Sequence, residues 1–157
     1  MSKRISWIGI FTALSFVLSF VKFPSPIGSI ALDSMPGFLL AIINPVYGGI
    51  TAFLGHIFTS WNSGFYFQFY HILLAISMFA IAFIFGKMYK RNKIIAVITA
   101  TILNGAIMPF IVTPILSVKG VFSTMPILSL ASFLNILIAS LVYIFIKKYE
   151  VIKNEKN

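Results

Sequence analysis

Two histidines, His56 and His71, and one aspartate, Asp33, are titratable groups that lie within or beside apolar stretches of this chain. An imidazole can donate, accept or ligate, and a carboxylate can hold a hydroxyl or a cation. Near them lie side chains suited to a flat, polar-edged molecule. Trp61, Tyr66 and Tyr70 offer ring faces, while Asn62, Gln68, Asn104 and Asn135 offer paired donors and acceptors. A carboxylate with two imidazoles suits several transition metals, but no tight spacing such as His-x-x-x-His joins them, so no metal or other cofactor is expected. Cysteine is absent, which excludes disulfides, zinc-thiolate sites and thiol nucleophiles. With three acidic residues and no nucleophile motif, catalysis has little to work with, and the chain is not expected to be an enzyme. The rival in that class is a small membrane enzyme using Asp33, His56 and His71.

The elements that must position these groups are membrane helices. Of 157 residues, 59% are hydrophobic and 10% charged, against roughly 25% charged in a soluble domain. Three acidic residues and twelve basic ones cannot solvate the surface of a domain this size. At about 20 residues per span, the length holds five or six helices and no separate catalytic or nucleotide-binding domain. No G-x-x-x-x-G-K-[ST] loop occurs, so ATP hydrolysis by that route is excluded. The net charge of +9 sits at the edges of apolar runs rather than among exposed aromatics. That placement argues for the lipid bilayer and against nucleic acid as a partner.

Lys3-Arg4 opens an apolar run over residues 5–21 that lacks an A-x-A-like cleavage site and is expected to remain as the first helix. Pro24-Ser25-Pro26-Ile27-Gly28-Ser29 reads as a loop. Asp33-Ser34-Met35-Pro36 reads as a helix start, with Asp33 or Ser34 as the cap. The apolar stretch that follows reaches residue 61, too long for one span and short for two. Asn44-Pro45 and Gly48-Gly49 divide it into a short helix over 35–43 and another over 46–61. Asn62-Ser63-Gly64 turns the chain into a fourth helix over 65–85. A basic loop follows with Lys87, Lys90, Arg91 and Lys93, then a fifth helix over 94–116 kinked by Pro109 and Pro114. Residues 117–126 read as a loop and 127–146 as a sixth helix. With six spans, Lys3, Arg4, the 87–93 cluster, Lys147, Lys148, Lys153 and Lys156 share one side, and only Lys22 and Lys119 fall on the other. Both termini are then cytoplasmic, whereas five spans would place the 87–93 cluster outside.

In this layout Asp33, His56, Trp61, Asn62, Gln68 and His71 gather at the outer end of the bundle around an outward-facing cavity, with Asn104 and Asn135 deeper. Each also has a plain structural reading: Asp33 as a helix cap, the histidines and asparagines as interhelical hydrogen-bonding groups, and the aromatic run over residues 65–70 as an interfacial belt. With two outer lysines and no arginine fork, a phosphate or polycarboxylate is poorly matched. The expected ligand is neutral or weakly cationic, flat, and polar at its edges. On the first helix, Gly9-x-x-x-Ala13 and Ser15-x-x-x-Ser19 place small residues on two neighbouring faces. Such faces let another helix approach closely, within this bundle or from a partner.

The whole chain resembles the substrate-binding S components of energy-coupling factor (ECF) vitamin transporters in its six short helices, its cytoplasmic termini, its lack of an ATPase motif and its small-x-x-x-small face. The resemblance implies an all-α integral membrane bundle of six transmembrane helices. It further implies partnership with a transmembrane coupling subunit and two cytosolic ATPase subunits. In that family the docking motif is usually Ala-x-x-x-Ala; here Gly9 stands in the first position and Ala13 in the second. The runs Pro24-Ser25-Pro26-Ile27-Gly28, Leu32-Asp33-Ser34-Met35-Pro36-Gly37-Phe38, Gly55-His56 and Ser63-Gly64-Phe65 look like the subgroup proposed to import alpha-ribazole, the benzimidazole nucleoside of cobalamin salvage. Riboflavin, thiamine and other vitamin carriers share the scaffold, while the cobalt and nickel relatives, with a histidine near the N-terminus, do not match. The resemblance also implies delivery by tilting in the bilayer, and the segment 23–32 is expected to act as a lid.

Overall fold

Apolar runs separated by Pro, Asn and Gly fold into helices and one hairpin in the computed structural model. It describes residues 2–25 and 28–155, and the side chains of residues 5–22 and 32–149. Helix α1 spans Ser2–Leu18. Where a loop was expected, strands β1 (Lys22–Ser25) and β2 (Gly28–Ala31) pair antiparallel, with Lys22 opposite Ala31 and Ser25 opposite Gly28. A two-stranded ribbon has only edges, so Pro24 can sit where its missing N–H costs no ladder bond. Pro26 and Ile27, also part of the expected loop, lie outside the described residues. This hairpin is the departure from an all-α architecture among the described residues.

Helices α2 (Met35–Ile43) and α3 (Pro45–Asn62) form the broken pair read from the sequence. Asn44 makes the break at φ −141° and ψ 111°. Its side-chain oxygen accepts from the Val46 and Tyr47 N–H groups at 3.1 and 3.2 Å, and Pro45 follows where no N–H is needed. The backbones then close up tightly. A Cβ on Gly48 would overlap the Ala41 backbone, and one on Gly86 of α4 (Tyr70–Tyr89) would overlap the Ala41 carbonyl. Helix α2 is thus clasped between α3 and α4 by positions with no side chain. Phe38, Met78, Phe85, Ile136 and Ala139 bury themselves around the clasp.

Helix α4 starts at Tyr70 rather than at residue 65. Gly64, Phe65 and Gln68 have φ of 76°, 49° and 52°, a left-handed course that no right-handed helix includes. Backbone bonds hold it: the Phe65 N–H donates to the Ser60 carbonyl at 2.8 Å and the Gln68 N–H to the Phe65 carbonyl at 2.7 Å. The other end of α4 runs on to Tyr89, beyond the expected residue 85.

Helix α5 (Lys93–Ile102) is capped by Asn92, whose Oδ1 accepts from the Ile95 N–H at 3.0 Å. Pro109 cannot donate to the carbonyl of Gly105, and the helix responds by widening into a π turn over Leu103–Ile107 and tightening into a 3₁₀ turn over Met108–Val112. Helix α6 spans Thr113–Glu155 and is broken at Ser117 (φ 63°, ψ 163°). The loop expected over 117–126 is replaced by reversal at that single residue. The Ser117 hydroxyl accepts from the Gly120 N–H at 3.4 Å, so helix resumes at once. Pro126 falls inside the helix, not at a loop end. The π turn packs closely on α6, where a Cβ on Gly105 would overlap Ser129.

By length and apolarity, two segments among the described residues can cross a bilayer: Tyr70–Tyr89, and Lys93–Tyr149, which contains the reversal at Ser117. On α1 the small faces separate. Ser15 and Ser19 are buried, and a Cβ on Gly55 of α3 would lie 2.9 Å from the Ser15 Cβ. Gly9 and Ala13 face outward, and nothing lies within 4 Å of a Cβ placed on Gly9. Replacing Gly48 by Ala drives a methyl group into the Ala41 backbone. The Gly48→Ala variant is expected to lose about 1–3 kcal/mol of stability, measured as a lowered thermal midpoint in detergent. An unchanged midpoint would show that α2 and α3 are not clasped at this crossing.

Candidate binding cavity

A cavity of about 580 Å³ opens at the end of the bundle where α3 hands over to α4 and the chain reverses at Ser117. That is the size of a small-molecule site. Its polar wall comes from the turn ahead of α2 and from α3, with Asp33, Ser34, His56, Thr59, Ser60 and Asn62. The facing wall is apolar, with Leu74 and Met78 of α4, Met108 and Val112 of the 3₁₀ turn, and Leu116 and Leu128 of α6. Asn104, Ser132 and Asn135 add polar groups.

His71 is the most completely engaged of these groups. The Phe67 N–H donates to its Nε2 at 3.1 Å, which makes Nε2 an acceptor and puts the ring proton on Nδ1. The Ser60 hydroxyl donates to the His56 carbonyl at 2.7 Å, leaving its oxygen to accept from His71 Nδ1 at 2.8 Å. These bonds fix the tautomer, the ring orientation and the hydroxyl together. His56 is held less firmly. Its Nε2 lies 3.5 Å from His71 Nδ1, at the long limit of a hydrogen bond, and the ring centroids are 5.6 Å apart.

Asp33 is buried in the turn ahead of α2, 8% exposed, and does not cap that helix. The cap comes from Asn135, whose Oδ1 accepts the Met35 N–H at 2.8 Å while its Nδ2 donates to the Ala131 carbonyl at 2.9 Å. The Ser34 hydroxyl instead donates to the Asp33 carboxylate at 3.3 Å. Burial pushes the Asp33 carboxyl above the usual carboxylate range, and the neighbouring Thr59 and Ser34 side chains and local backbone offset part of that rise. No cation is among the groups that offset it.

The remaining expected residues divide. Asn104, in the π turn, donates from Nδ2 to Ser132 Oγ at 3.0 Å and leaves its amide oxygen without a partner among the described residues. Asn62 ties α3 to the turn that follows α1 by donating to Ser19 Oγ at 3.0 Å. Tyr66 lines the cavity, with Phe67 edge-on to it at 5.0 Å. Trp61, Gln68 and Tyr70 are not brought to the cavity. Trp61 sits on the outer face of the last turn of α3, 68% exposed. Gln68 is exposed in the left-handed turn, and Tyr70 stacks on Phe69 at 4.2 Å. Ser60 and Ser132 were not foreseen as site residues, although Ser60 follows His56 by four positions and Ser132 precedes Asn135 by three, spacings that share a helix face. No three His, Cys, Asp or Glu side chains gather as a metal-binding group among the described residues.

The chain is similar in structure to the S component of a bacterial ECF transporter, over 99% of this chain and 98% of that one, with a TM-score of 0.61 and 23% sequence identity. At that identity the likeness establishes the fold, end to end. No protein-family model and no curated protein matches the sequence.

Truncating His71 leaves the Phe67 N–H and the Ser60 oxygen short of partners in a buried place. His71→Ala is expected to cost about 1–3 kcal/mol per orphaned group, seen as a lower unfolding midpoint in detergent without any ligand present. A midpoint equal to that of the unmodified protein would mean that the network does not brace the fold.

Proposed function

We propose that this chain is the substrate-binding S component of an ECF-type importer and takes up one vitamin or vitamin precursor. The observation that carries the proposal is the two-walled cavity, with Asp33, His56 and Asn104 opposite an apolar face, inside a fold of that class. A flat aromatic ring lies against Leu74, Met108 and Val112, and the hydroxyls of an attached sugar reach Asp33 and His56. Tyr66 adds a ring at the mouth. Lys22, the one basic residue of the lining, donates to Ser63 Oγ at 3.5 Å, so the cavity offers no cationic fork for a phosphate. The ligand is therefore a neutral, nucleoside-like molecule, with alpha-ribazole the best match.

The energy comes from partners. The outward face of Gly9 and Ala13 suits close docking on a transmembrane coupling subunit, which carries two cytosolic ATPase subunits. The basic clusters of the α4–α5 turn and of α6 share one cleft, which supports a cytoplasmic placement of that end and an outer placement of the cavity. The hairpin β1–β2 joins α1 to α2 beside Asp33 and serves as the lid of the cavity.

Calorimetric titration of the detergent-solubilised chain with a panel of nucleosides and vitamins tests the reading. A benzimidazole nucleoside is expected to bind tightest, and Asp33→Asn to weaken it by about 1–3 kcal/mol. A different vitamin bound with equal dependence on Asp33 would correct the ligand and keep the role. No binding across the panel, or turnover of a ligand that His56→Ala abolishes, would overturn the transport reading, the latter in favour of a membrane enzyme.

A further inference from the structure

A second cleft, of about 520 Å³, opens at the opposite end of the bundle between the α4–α5 turn and α6. Tyr89 on its wall lies eighteen positions along α4 from His71, about 27 Å of helix. Lys90, Lys93, Lys147 and Lys148 bring four ammonium groups to its rim. The one acidic side chain described, Asp33, lines the other cavity, so no described carboxylate neutralises them. Tyr89 is 4% exposed, and its hydroxyl makes no hydrogen bond among the described residues. Its ring is pinned by Phe85 at 5.3 Å and by Tyr143, edge-on at 6.1 Å. A buried phenol without a partner is uncommon and calls for an acceptor. Ile42 and Ile144 complete the wall, and beside Ile144 the side chains of Phe145 and Ile146 are exposed.

We propose that this cleft binds the phosphodiester headgroup of an anionic lipid. The phosphate sits among the four lysines and accepts from the Tyr89 hydroxyl, and the acyl chains run along the apolar side of α6 past Ile144. A free phosphate shares the ionic chemistry, but the apolar surface next to the ammonium groups favours a lipid.

Native mass spectrometry of the full chain in a neutral detergent tests this, with phosphatidylglycerol, phosphatidylcholine and inorganic phosphate as probes. One phosphatidylglycerol is expected to stay bound where phosphatidylcholine does not. Lys147→Gln combined with Lys148→Gln is expected to weaken it about tenfold or more, and Tyr89→Phe, which changes no charge, roughly fivefold. Neither set of changes is expected to alter ligand binding at the first cavity, which checks that the variants fold. Equal retention of the two lipids, or unchanged phosphatidylglycerol affinity in Tyr89→Phe, would overturn the site. Displacement of the lipid by inorganic phosphate at equal concentration would overturn the lipid assignment in favour of a free anion.

Discussion

A nine-residue helix that begins inside a bundle leaves its first amide protons without partners, and hydrocarbon supplies no water to take them. In α2 the Met35 proton goes to Asn135, one hundred positions further along the chain. Much of the architecture depends on that bond. It fixes the turn carrying Asp33 and Ser34 against α6, and so sets the distance between the polar and apolar walls of the cavity. Asn135 is itself held by the Ala131 carbonyl, so the acceptor is oriented before α2 reaches it. Below, the Ala41 clasp leaves α2 nowhere else to go.

The polar groups of the cavity fall into two kinds as a consequence. His71 and Asn135 have their bonding directions committed to the protein, and they hold α4 and α2 in register with their neighbours. Asp33, His56 and Asn104 line the same space, His56 held by one long contact and Asn104 with its amide oxygen unpartnered among the described residues. This division separates two histidines that look equivalent in the sequence: His71 is held by two short hydrogen bonds, His56 by one contact at 3.5 Å. It also explains why a cavity can persist beside a left-handed turn. The Phe67 amide, which would be stranded there, is satisfied by the His71 ring.

Features set by local chemistry were legible in the sequence. The α2–α3 break follows from Asn44-Pro45, because an Asn cap followed by Pro both ends one helix and starts the next. Asp33, His56, His71, Asn104 and Asn135, grouped in the sequence reading, line one space. Features set by distant contacts were not legible. Nothing near residue 35 announces that its cap lies on α6, so the cap was read as Asp33 or Ser34. The start of α4 was placed five residues early because the apolar run over 65–70 hides a left-handed turn, and this carried Gln68 and Tyr70 into a site they do not reach. At 117–126, polar residues and Pro126 suggested a loop, whereas one residue with positive φ suffices for the reversal.

The central claim is that the polar wall of α3 and the arm of α6 opposite enclose one water-filled space reached from a single side of the membrane. The natural absence of cysteine makes this directly measurable. Single replacements Ser132→Cys inside the cavity, Ser63→Cys at its mouth and Lys90→Cys at the other end would be labelled in sealed liposomes with a membrane-impermeant maleimide. Ser132→Cys and Ser63→Cys are expected to react from the same side, Lys90→Cys only from the other, and ligand to protect Ser132→Cys. Labelling of Ser132→Cys from the Lys90 side, or no labelling from either, would contradict the account.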